Sequence, residues 1–146
     1  MARKLRSLSK FSCGELLVLF QLVALALAAR AALTFLRLSR VMELVARGAG
    51  NRFLRCLPLF QNRYELTRLT RLADIAARNA QGDGRCLIRS LLVFWLLKSR
   101  GEAAELFVGV RREVSALHSH AWIESRGRIL IDSPETAGSY ATLLRY

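Results

Sequence analysis

His118-Ser119-His120-Ala121-Trp122-Ile123-Glu124, then Ser125-Arg126-Gly127, then Arg128-Ile129-Leu130-Ile131-Asp132, carries two runs of strand-favouring residues around a short turn. That pattern predicts a β-hairpin, with Gly127 in the left-handed position that closes a three-residue loop. The loop pairs Glu124 with Arg128, Trp122 with Leu130 and His120 with Asp132. Directly opposite residues have Cβ atoms about 5 Å apart on one face. Asp132 is thereby expected to hold the His120 imidazole by its Nδ1–H, while Glu124 facing Arg128 supplies a favourable charge pair. A two-residue loop instead puts Asp132 on the face opposite His120.

Before the hairpin, Leu106, Val108 and Val110 alternate with Phe107, Gly109 and Arg111, which reads as a preceding strand. The texture upstream is helical. Ser12 to Arg47 is rich in Leu and Ala, good helix formers, and predicts one or two helices ended by Gly48-Ala49-Gly50. A connector holding Pro58 follows. Leu66, Leu69, Ala73, Ala76, Ala77 and Ala80 then recur at three- and four-residue steps, the period of an amphipathic helix. Gln81-Gly82-Asp83-Gly84 breaks it, and Leu87, Leu91, Phe94 and Trp95 start a new helix that stops at Gly101. Helices first and an antiparallel sheet last give an α+β class. Residues 1–60 form a basic, apolar helical region and 61–146 a catalytic core, the two integrated into one domain of ordinary size.

Cys86 falls in the first turn of that new helix. A thiol attacks as its thiolate, and unpaired N–H groups at a helix start favour negative charge, as do Arg85 and Arg89 close by. Cys13 and Cys56 read as structural. The chain has only two histidines, His118 and His120, so any Cys–His mechanism must use one of them. The hairpin gives His120 an acid and leaves His118 opposite Pro134, in a supporting role. His118-x-His120 with Asp132 or Cys86 could hold zinc, yet no pair of standard zinc spacing accompanies them, and neither metal nor cofactor is expected.

The formal charge is +12, of which a net of eight lies in residues 1–55. Such an excess attracts anionic lipid, acidic peptide or nucleic acid. No zinc-finger, homeodomain or aromatic RNA-binding pattern supports the last. Three scattered cysteines without C-x-x-C suggest thiols in a reducing cytoplasm. The apolar run Leu16–Ala29 is short for a membrane span, which needs about 20 residues. Ser12-Cys13-Gly14-Glu15 ahead of it is a capping box, which argues for a helix of a folded domain over a cleaved signal. Peripheral contact with a membrane stays open.

Cys86-Leu87-Ile88-Arg89-Ser90-Leu91, Arg100-Gly101, Leu106-Phe107-Val108-Gly109-Val110, His120-Ala121-Trp122-Ile123-Glu124 and Ile131-Asp132 resemble the transglutaminase-like half of lasso peptide biosynthesis B proteins, bacterial leader peptidases. The resemblance spans about residues 85–146 and is weaker over the helical first half. It implies a transglutaminase-like, papain-like cysteine protease fold, with Cys86 as nucleophile, His120 as base and acid, and Asp132 as orienting acid. It also implies that the leader is cut from a ribosomally made precursor peptide, and that a separate cyclase resembling asparagine synthetase joins the exposed core amine to a side chain. Without an obvious preceding winged module, it implies the split arrangement, in which a separate recognition protein presents the leader. For the oxyanion, the Cys86 N–H and Gln81 are candidate donors, and Trp122 joins His118 as a supporting residue. Two further readings use the same residues: acyl transfer to an amine, and a non-catalytic basic adaptor.

Overall fold

The structure is a computed structural model, described here over residues 11–51, 53–80, 84–114 and 116–146. Helix α1 (Cys13–Phe35) opens on the expected capping box: the Ser12 hydroxyl accepts from the Glu15 N–H at 3.3 Å, and the Glu15 carboxylate accepts from the Ser12 N–H at 2.8 Å. Its 23 residues make it long and apolar enough to cross a membrane by length and composition, more than the run Leu16–Ala29 suggested. One side is core, with Val18, Leu22 and Ala26 fully buried. Leu17, Phe20, Leu27 and Phe35 stand exposed on the other.

Helix α2 (Leu38–Gly50) follows a sharp break at Leu36 and Arg37. It runs through Gly48 and ends at Gly50, the last of the three residues expected to stop it. A Cβ at Gly48 would come within 2.6 Å of the Trp95 ring, so this glycine permits close packing against a helix and does not end one. Two short 3-10 turns, Leu54–Cys56 and Gln61–Arg63, lead to α3 (Leu66–Asn79) and α4 (Arg85–Ser99). Leu69, Leu72, Ala73 and Ala76 of α3 meet Leu91, Val93, Leu96 and Leu97 of α4 in the buried centre. Helix α4 ends as expected at Gly101, whose φ of 75° lets the Gly101 N–H reach the Lys98 carbonyl and the Glu102 N–H reach that of Leu97.

Strands β1 (Glu105–Arg112), β2 (Leu117–Ser125), β3 (Arg128–Ile129) and β4 (Ala141–Arg145) form one antiparallel sheet in the order β3-β2-β1-β4. A short helix, α5 (Pro134–Gly138), lies between the last two. Leu106 and Ile123, paired across β1 and β2, are wholly buried and join the helical core. The next pair, Phe107 and Trp122, points to the opposite face and stacks with ring centroids 5.5 Å apart. The α+β class thus stands: helices cover one face of a small antiparallel sheet.

Candidate active site

Cys86 occupies the first turn of α4, half-buried. The turn is preceded by Gly84 at φ 94°, and among the described residues no side chain caps it. The first intrahelical bond is donated by Ile88 to Gly84, so N–H groups ahead of it have no partner within the helix. Of the two arginines expected to lend charge here, Arg85 lies 3.3 Å from Asp74 and Arg89 lies 2.8 Å from Asp132. Both are paired with carboxylates, and Arg85 shares Asp74 with Arg78.

The hairpin has a different register from the one expected. Ser125 pairs with Arg128 and Glu124 with Ile129, so the loop is the two residues Arg126 and Gly127, at φ 51° and 73°. Positive φ at both positions is the geometry of a type I′ turn. Glu124 does not face Arg128; it accepts instead from the Trp122 indole at 3.0 Å. Continued strictly, this register would set Asp132 on the wrong side of β2. The chain avoids that by leaving the ladder: β3 ends at Ile129, the Leu130 N–H makes one more bond to the Ile123 carbonyl, and residues 130–133 bend around the open edge of β2. Asp132 Oδ2 comes to rest 3.3 Å from His120 Nε2. The two residues meet, by another route and through Nε2 rather than Nδ1.

Arg89 completes the group. Its Nη2 donates to both oxygens of Asp132, at 2.9 and 2.8 Å. The side chains of Arg89, His120 and Asp132 are only 17%, 16% and 11% exposed, so these charges are poorly screened. Next along the helix, the buried Ser90 hydroxyl donates to the Ala121 carbonyl at 2.9 Å, tying α4 to β2 beside His120. Tyr140 stands on another side of the imidazole, ring centroids 5.2 Å apart, with the Arg111 guanidinium stacked over it.

Cys86 itself makes no hydrogen bond to His120 among the described residues, and no three His, Cys, Asp or Glu side chains among them converge as a metal would need. His120 Nε2 has no hydrogen-bond partner among the described residues, so its 3.3 Å approach to Asp132 is an ion-pair distance and not a hydrogen bond. His118 is exposed and lies 3.4 Å from Glu113, across from Arg111 instead of Pro134. Trp122 has its N–H committed to Glu124 and serves as a wall beside His120, centroids 6.4 Å apart. Gln81 lies outside the described residues. Tyr140 escaped notice because nothing in the sequence links it to the hairpin, and Arg89 was visible only as a charge.

A cysteine at a helix start, on a helix hydrogen-bonded to the strand that carries a histidine next to an aspartate, is an arrangement open to thiol acyl-transfer chemistry. The family model of the transglutaminase-like superfamily matches residues 22–145, and the chain belongs to that superfamily, which includes cysteine peptidases and acyltransferases. Comparison with curated proteins found no match, and comparison with solved structures found none.

Proposed function

We propose that the chain is a cysteine peptidase that removes the leader from a lasso peptide precursor in the bacterial cytoplasm, using Cys86, His120 and Asp132. The observation that carries the chemistry is the 3.3 Å contact of His120 with Asp132, on a strand hydrogen-bonded through Ser90 to the helix that bears Cys86. The substrate comes from the resemblance of residues 85–146 to lasso peptide biosynthesis B proteins. His120 takes the thiol proton and Cys86 Sγ attacks the scissile carbonyl. The C–N bond breaks, His120 protonates the departing core amine, and a thioester holds the leader until water hydrolyses it to a free carboxylate. The Cys86 N–H at the uncapped helix start suits the oxyanion. A separate recognition protein presents the leader, and the asparagine-synthetase-like cyclase takes the product.

Incubation of the purified chain with precursor and recognition protein, read by mass spectrometry, tests this. Free leader and free core are expected, and neither with Cys86→Ala. A leader–amine conjugate would instead mean acyl transfer. Cleavage that survives Cys86→Ala would leave the chain an adaptor.

A further inference from the structure

Asp132 is not fixed by strand pairing, since it lies past the last rung of the ladder. What holds it is Arg89, one helical turn after Cys86, with both carboxylate oxygens on a single guanidinium nitrogen. We propose that Arg89 is a positioning residue: it sets Asp132 against His120, and by sharing the carboxylate's charge it tunes the reactivity of Cys86. This rests on the cysteine-peptidase reading and adds the residue that tunes it.

A carboxylate beside an imidazole stabilises the imidazolium, and a guanidinium on the same carboxylate weakens that effect. Among the described residues, Arg89 is the one Lys or Arg paired with the acid beside His120. Tyr140 faces the ring from the segment after α5, and Arg111 of β1 stacks on that tyrosine. His118 on the same strand is paired with Glu113, and Cys86 lies in the first turn of α4. Among the described residues Arg89 Nε is buried without a hydrogen-bond partner, and the polar contacts of this side chain run through Nη2 to Asp132. Because Arg89 and Cys86 share the first turns of one helix, any shift of the nucleophile relative to β2 also pulls on the acid.

The pH profile of Cys86 alkylation by iodoacetamide tests this on the full chain with Cys13→Ser and Cys56→Ser, and needs no peptide. Arg89→Gln is expected to move the midpoints of the profile upward by about one pH unit, the order of shift a neighbouring charge produces. Arg89→Lys, which keeps the charge, is expected to bring them most of the way back. In an Asp132→Asn background, Arg89→Gln is expected to shift the midpoints by a different amount than in the parent, since the carboxylate it holds is gone. Asp132→Asn and Arg89→Gln each leave one buried charge alone, so Arg89→Lys, which leaves none, keeps the comparison with the parent if they do not fold: Lys midpoints about one unit above the parent's overturn the proposal. Equal shifts in the two backgrounds overturn it as well. Coincident profiles for Arg89→Gln and the parent overturn it too, while a parent thiol titrating near a free value, about 8.5, overturns the peptidase reading with it.

Discussion

The Ser90 hydroxyl donates to the Ala121 main-chain carbonyl at 2.9 Å, wholly inside the protein, and joins the helix that bears Cys86 to the strand that bears His120. Removing a buried donor costs about 1–3 kcal/mol when the acceptor finds no replacement. Ser90→Ala is expected to lower stability by that amount in urea unfolding, and to reduce kcat more than KM, since it loosens α4 against β2 without touching substrate.

Asp132 carries a second cost besides chemistry. Asp132→Ala leaves the Arg89 guanidinium, 17% exposed, without its carboxylate. Breaking such a pair from one side destabilises by about 3 kcal/mol. Asp132→Ala is therefore expected to melt lower than Asp132→Ala combined with Arg89→Met, and a calorimetric comparison of the two decides it.

Gly109 is where β1 must be thin. A Cβ there would meet the Ala141 carbonyl oxygen at 2.9 Å and the Trp122 ring at 3.0 Å. The first of these is backbone and cannot rotate away. Gly109→Ala is expected to cost about 1–3 kcal/mol by overpacking, with a changed Trp122 fluorescence maximum as the ring shifts toward solvent.

Glu15 links stability to pH. The Arg68 guanidinium, 2.5 Å away, and then the Ser12 N–H hold its carboxyl below the usual carboxylate range. With the folded value lower than the unfolded one, the pair contributes stability above the ordinary glutamate value of about 4.3, and that contribution is lost as pH falls through the folded value. Glu15→Gln keeps a capping acceptor but not the charge. Its melting temperature is expected to lie below the parent's at pH 7 and to converge with it in strong acid.

Much of this was legible in the sequence, for reasons that differ by element. Ser12 and Glu15 announced the start of α1, and the period of Leu69, Ala73 and Ala76 that of α3, because caps and apolar spacing are local signals. The hairpin register was not, since a type I′ turn needs left-handed φ at Arg126, a residue with no preference for it. Strand β4 was missed because Ala141 to Arg145 are all exposed and show no buried alternation. Helix α5 was missed for its shortness, although Ser133 as N-cap with Pro134 after it is a start signal. His120 and Asp132 were expected to face each other across a three-residue loop; the loop has two residues, and it is the bend after Ile129 that brings Asp132 within 3.3 Å of His120 Nε2.

Helix α1 is apolar on nearly every side, so burial of hydrophobic surface gives it little preference for one rotation about its axis over another. Three polar contacts break that degeneracy: Glu15 with Arg68, the Gln21 side chain accepting from the Leu59 N–H at 2.8 Å, and the Arg30 guanidinium on the Ala80 carbonyl. They act as keys on a shaft, selecting one orientation more than strengthening the fold. Replacing Glu15, Gln21 and Arg30 together by leucine is expected to preserve helical circular dichroism while α1 loses its single set of sharp amide resonances.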